Sequence, residues 1–225
     1  MSKPVRRSWL LTPTHDEEAV ANARNSEADV VVLDLMELLP ETRKPEARRK
    51  ARGALCALSE GSAQVFLHAD AQLLYADLNA MVWPGLNGVI VGRVETPNTI
   101  LEADLVLNEL EGQRGILPGT VEIIASVETA IGNKAAFAIT QVCRRVTGLT
   151  LGRADLAMDL RFEPSGEIHM MPYLMQRLIT IANAAGVSPL GAWWRYPSRG
   201  LSASPEDTYW AALRGRRLGF TGSMC

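Results

Sequence analysis

The run Asp29-Val30-Val31-Val32-Leu33-Asp34-Leu35 constrains this chain more than any other. It is apolar without alternation, so it does not suit a strand with one wet face. It suits a strand buried on both faces, the kind found in parallel sheets covered by helices. Further β-rich runs are predicted at Ser8–Thr12, Gln64–His68, Gly88–Gly92, Val121–Val127, Val146–Leu151 and Leu190–Trp194. Gly219–Cys225 reads as an eighth strand cut short. Helical patterns lie between them: Glu17 through Ala23, Pro40–Leu58, a stretch ending near Met81, Asn98–Leu110, Thr129–Gln141 and Pro172–Ala185. Gly186 is placed to end the last of these, and Ser204-Pro205 to open one more.

Repeating βα units imply parallel strands joined by helical crossovers. Seven or eight of them favour a closed barrel over an open doubly wound sheet. No G-x-G-x-x-G or P-loop pattern supports a nucleotide-binding open sheet. No Pro/Gly/Ser-rich linker divides the chain. The expected fold is therefore α/β, a (β/α)8 TIM barrel with its last βα unit truncated, as a single domain over residues 1–225. At 225 residues it is shorter than usual; such barrels typically need roughly 250.

Composition narrows the function classes. The net charge of −2 gives no basic excess for nucleic acid. Cys56, Cys143 and Cys225 are far apart and lack metal-site spacing, which suits a reducing cytoplasm. The start, Met1 to Arg7, is charged but has no signal-like apolar stretch. No run approaches the roughly 18 apolar residues of a membrane span.

In a βα barrel, reactive groups sit where strands end and loops begin. Strand two ends at Asp34, three at His68, four at Arg93 and five at Glu128. Strand six leads into Asp155, and strand seven ends near Arg195. These side chains are expected to converge on one mouth, with anionic metal ligands beside cationic anion-binders. Each has a plainer explanation taken singly. Asp155 and Glu128 precede or open helices, where acids are common. The arginines suit surface ion pairs, and a lone histidine suits a structural role. Asp34 is harder to explain away, because a buried unpaired acid is costly.

Several stretches resemble one family in order along the chain. Arg7-Ser8-Trp9-Leu10-Leu11-Thr12-Pro13 resembles the R-S-x-L-F-V-P opening of citrate lyase beta subunits. Ala28 to Leu35 resembles A-D-x-V-I-L-D-L, and Val91-Gly92-Arg93-Val94-Glu95-Thr96 resembles L-P-K-V-E-S. Ala125-Ser126-Val127-Glu128-Thr129-Ala130-Ile131-Gly132 resembles the I-E-T-A-x-G stretch. Leu151 to Leu160 resembles L-G-x-A-D-L-A-x-D-L, and Gly219 to Cys225 resembles G-F-D-G-K-x-C. The chain is thus identified as similar to the HpcH/HpaI aldolase and citrate lyase beta family, which includes malyl-CoA lyases.

The resemblance implies that Glu128 and Asp155 hold Mg²⁺, which favours hard oxygen ligands and leaves positions for substrate oxygens. It implies a carbon–carbon lyase or aldolase. The products would be an α-keto acid, such as oxaloacetate, pyruvate or glyoxylate, and an acyl thioester on CoA or an acyl carrier protein. Arg93, Asp34, Glu37 and His68 are the candidate catalytic residues; Arg7, Arg93 and Gly152 are the candidates for binding substrate.

The departures are specific. The family's L-D-L-E-D reads Leu33-Asp34-Leu35-Met36-Glu37 here, and Gly92 replaces a proline. The V-R-x-N arginine of strand three is absent from Val65-Phe66-Leu67-His68-Ala69, leaving His68 or Arg93 as the cation. Family members continue past the position of Cys225 into a segment that covers the site, so an oligomer that buries the exposed edge is expected. Two other functions compete: a non-catalytic subunit or binding module, and a thioesterase using the same site.

Overall fold

The computed structural model describes residues 5–36, 38–161, 172–191 and 205–224. Eight parallel strands close into a barrel in sequence order. They are β1 (Ser8–Pro13), β2 (Val30–Asp34), β3 (Gln64–Asp70), β4 (Leu86–Gly92), β5 (Glu122–Val127), β6 (Val146–Leu151), β7 (Ser188–Gly191) and β8 (Gly222–Met224). The helices are α1 (Glu17–Arg24), α2 (Lys44–Ser59), α3 (Leu74–Met81), α4 (Pro97–Gln113), α5 (Ala130–Gln141), α6 (Arg153–Asp159), α7 (Pro172–Ala185) and α8 (Pro205–Leu218). β8 is only three residues long but pairs with both β7 and β1, which completes the ring.

The double-sided burial expected of β2 is explained by two cores. Val30 and Val32 point into the barrel with Trp9, Phe66, Ile90, Ile124, Leu190 and Met224. Val31 and Leu33 point outward into the apolar layer beneath the helices. Strand side chains alternate, so the same parity carries Asp34 of β2 and His68 of β3 inward at the top. Leu67 joins the outer layer.

Local chemistry sets several element ends. Asp16 caps α1 through the Glu18 and Ala19 N–H groups. Gly186, at φ 72°, ends α7, and the Val187 N–H reaches back to the Ala182 carbonyl. Short 3₁₀ turns at Glu41–Arg43 and Ala71–Leu73 lead into α2 and α3. α6 is a separate helix that periodicity did not pick out; only the position of Asp155 hinted at it. β7 begins two residues before its expected start; Trp193, Trp194 and Arg195 lie outside the described residues, as do Glu37, Ser204 and Cys225.

A buried arginine ties α4 to the base of β5 and β6. Arg145 bonds Asp104, Asn108 and both oxygens of Glu111, and donates to the Val121 carbonyl. Glu111 also accepts from the Gly119 and Val121 N–H groups. Burial pushes the Glu111 carboxyl up, but the Arg145 guanidinium and those two N–H groups outweigh it and leave its pKa lowered. The strands that carry Glu128 and Gly152 therefore start from a fixed frame.

Arg6 crosses the N-terminal end of the barrel to Glu122 and Gln64, with its guanidinium 4.9 Å from the centre of the Phe66 ring. Beside it lies a cavity of about 300 Å³, lined by Trp9, Ile124, Leu190, Thr147 and Ser188 among others. It is at the opposite end from the strand C-termini.

Candidate metal and substrate site

The mouth is built from strand ends. Glu128 lies between the last residue of β5 and Thr129, whose hydroxyl caps α5 by accepting from the Gly132 N–H at 3.1 Å. A strand end meeting a helix start fixes the backbone on both sides of the carboxylate. Glu128 is only 1% exposed.

Gly152 makes room for it. The Gly152 N–H bonds the Val127 carbonyl at 3.0 Å, which holds the β6 end against β5. A Cβ on Gly152 would overlap Glu128 Cγ and lie 2.9 Å from its Cδ. Any other residue would therefore displace the carboxylate. Gly152 also precedes α6 as its N-cap, and Asp155 occupies the first turn of that helix, half-buried. Asp159, at the other end of α6, accepts from the Ala130 N–H at 2.7 Å. The helix of Asp155 is thus tethered to the loop that carries Glu128.

Arg93 adds a cation. Its Nε is 3.8 Å from Glu128 Oε2, and its side chain is 44% exposed. Its backbone is left-handed at φ 54°, a conformation unfavourable for a residue with a Cβ. The next N–H, of Val94, bonds the Ser126 carbonyl at 3.0 Å. The strain thus sits at the turn that carries the guanidinium out of β4.

On the other side, His68 Nδ1 is 2.8 Å from Asp34 Oδ1. Asp34 also accepts from the Met36 and Leu38 N–H groups, at 3.3 and 2.5 Å. Its carboxylate therefore orients the imidazole and fixes the turn after β2. Met36 reaches across to β4: a Cβ on Gly92 would collide with its sulfur and lie 2.8 Å from its methyl carbon. Ser126 and Thr150, in register on β5 and β6, are buried one layer down.

The structure thus gathers Asp34, His68, Arg93, Glu128, Gly152 and Asp155 at one end of the barrel. Arg7 is not among them. It precedes β1 at the opposite end, where its N–H bonds Asp29; six strand residues separate it from the mouth, about 20 Å by strand rise. The expectation that it binds substrate in the mouth is corrected by that placement. Glu37 lies outside the described residues. The Met36–Gly92 contact was missed, because residues 56 apart in sequence meet only through barrel closure.

The donor set suits a hard divalent cation. One carboxylate follows β5 and the other sits in the first turn of α6, after β6, and the glycine cradle keeps the first in place. Mg²⁺ is commonly held by one or two carboxylates, with substrate and water supplying the rest. Among the described residues there is no cluster of three or more His, Cys, Asp or Glu that would make a closed protein cage.

These features define a class: a (β/α)8 barrel whose mouth presents a carboxylate pair, a strained arginine and an aspartate–histidine pair. The chain belongs to the HpcH/HpaI aldolase/citrate lyase family, whose profile matches residues 7–201. It is 25% identical over 187 residues to the citrate lyase subunit beta of Leuconostoc mesenteroides subsp. cremoris, which covers 82% of this chain and 62% of that protein. The chain therefore spans less than two thirds of the length of that relative. A magnesium/glyoxylate complex of Haloferax volcanii malate synthase has the same fold, with a TM-score of 0.83 at 15% identity, over 100% of this chain and 73% of that one. The protein CitE of Mycobacterium tuberculosis, in complex with magnesium and pyruvate, matches with a TM-score of 0.68 at 23% identity, over 98% and 85%. Among the described residues no helix is long and apolar enough to cross a membrane.

Proposed function

We propose that this protein is a Mg²⁺-dependent carbon–carbon lyase or aldolase. It would make or break a bond beside the keto group of a small α-keto acid, with an acyl thioester as the other fragment. The observation that carries the reading is Glu128, buried at the end of β5 in a space that only a glycine at position 152 leaves open. Family membership and the magnesium complexes of the two structural relatives support it.

Glu128 and Asp155 would hold the ion. Bound there, Mg²⁺ would polarise the keto carbonyl and offset the charge that develops on its oxygen. Arg93 would bind the substrate carboxylate, its planar fork matching two oxygens. His68 would carry the proton that leaves the hydroxyl in the cleavage direction. Asp34 orients that ring through Nδ1.

A second reading, a binding module that has lost turnover, draws on Met36, an apolar residue where the family resemblance places an acid.

Calorimetric titration of pyruvate with and without Mg²⁺, into wild type and Glu128→Ala, tests the site. The expected result is Mg²⁺-dependent binding that the variant loses. Equal binding without the ion, or in the variant, would refute it. Mg²⁺-dependent release of a keto acid from an acyl thioester substrate would exclude the binding-module reading.

A further inference from the structure

Met36 and Gly92 form one structural feature. Met36 follows β2, and Gly92 ends β4, with β3 between them. The Met36 thioether lies in the space that any side chain at position 92 would occupy. Between them lies β3, whose inward-facing His68 pairs with Asp34. All three are buried: Asp34 is 0% exposed, His68 1% and Met36 7%. One sector of the mouth, from β2 to β4, is therefore walled by sulfur and methyl.

The charges around this wall are unfavourable to an anion. Asp34 and His68 lie beside it, and Asp34 also holds the Met36 N–H. Asp70 ends β3 next to it, accepting from the Gln72 N–H. Lys44 of α2 is 3.8 Å from Asp70 but also pairs with Glu41, so it is already balanced by two carboxylates. Arg93 leaves the end of β4 toward Glu128. A carboxylate pressed against the Met36 wall would lose water and meet Asp34 and Asp70 in place of a cation. A methyl or methylene there would meet a soft, adaptable thioether.

We propose that Met36, seated on Gly92, sets substrate specificity by selecting α-keto acids with a small apolar end over those with a second carboxylate. This rests on the keto-acid reading above. It adds which class of keto acid the site accepts, and it assigns that choice to two residues that meet only in the folded barrel.

The test uses two four-carbon ligands that differ only at the far end, 2-oxobutyrate with a methyl and freshly dissolved oxaloacetate with a carboxylate. Each is titrated calorimetrically in Mg²⁺ into wild type, Met36→Ala, Gly92→Ala and Met36→Leu. Wild type should bind 2-oxobutyrate about tenfold or more tightly, the cost of an unpaired polar group. Met36→Ala removes the wall, and Gly92→Ala evicts it, so both should bring the ratio to within about threefold. Met36→Leu restores an apolar wall and should keep the preference. Pyruvate, too short to press on the wall, checks that each variant still has a working site.

Oxaloacetate binding wild type as well as 2-oxobutyrate would overturn the inference and leave the keto-acid reading standing. So would a ratio unchanged in both alanine variants that still bind pyruvate. Loss of pyruvate binding in one alanine variant passes the decision to the other; loss in both would overturn a role confined to specificity. If wild type binds none of the three acids, the functional reading falls and the inference falls with it.

Discussion

His68 Nδ1 and Asp34 Oδ1 lie 2.8 Å apart on neighbouring strands, with both side chains shut off from solvent. A carboxylate can only accept, so Nδ1 carries the hydrogen. The same carboxylate holds the Met36 and Leu38 N–H groups, which makes Asp34 the anchor of the β2–α2 turn as well as of the ring. Asp34→Ala is expected to destabilise the protein by about 2–4 kcal/mol, since it strands several buried donors at once. Urea denaturation measures this, and a loss below about 1 kcal/mol would contradict the anchoring role.

Gly152→Ala should separate the site from the fold. The new Cβ would collide with Glu128 Cγ. Overpacking of this kind costs about 1–3 kcal/mol, which leaves a folded barrel. Mg²⁺-dependent pyruvate binding should fall by at least about tenfold, because a displaced carboxylate no longer meets the ion. Unchanged binding would mean that Glu128 has room elsewhere or is not a ligand.

Arg93 stands in the left-handed region at φ 54°. Arg93→Gly is expected to raise stability by about 1 kcal/mol, because glycine adopts this conformation without strain. The same change should weaken keto-acid binding through loss of the guanidinium. Thermal unfolding and calorimetry on the same sample read the two effects. A variant that is less stable, or that binds as well as wild type, would refute the trade of stability for function.

The Glu111–Arg145 pair predicts a particular response to acid. The Glu111 pKa is lowered from its usual 4.5, so its contribution is fully present above that pH. It is lost as the pH falls through the depressed value. Glu111→Gln should therefore cost about 3 kcal/mol near neutrality by leaving Arg145 partly unpaired. The gap between variant and wild type should narrow as the pH falls below 4.5 and through the depressed value, because the wild-type carboxyl then takes up its proton. Denaturant titrations from neutral to acid pH would expose a gap that fails to narrow.

Much of the barrel was legible along the chain. Valines in unbroken runs, separated by helical periodicity, have few alternatives to a parallel sheet with covered faces. β6 fell where expected, from Val146 to Leu151, and α7 from Pro172 to Ala185. Their boundaries rest on local chemistry: an apolar run in the first, a proline start and a glycine stop in the second. The strand-end positions of Asp34 and Glu128 were legible for the same reason, because the strands set their direction; β3 runs on to Asp70, so His68 faces inward two residues before the end of its strand. α6 was not, since its seven residues are too few for periodicity to register.

The sequence by itself determined the order of strands, the alternation that sends every second residue inward, and the acids and arginine that follow the strands. Those depend on neighbours within a few residues. The tertiary structure alone decided the pairs formed by barrel closure: Gly152 giving way to Glu128, Asp34 holding His68, and Met36 resting where Gly92 has no side chain. It also decided that Arg7 belongs to the other end. Such contacts depend on register and strand direction, and the distances between them are set by closure of the ring rather than by separation along the chain.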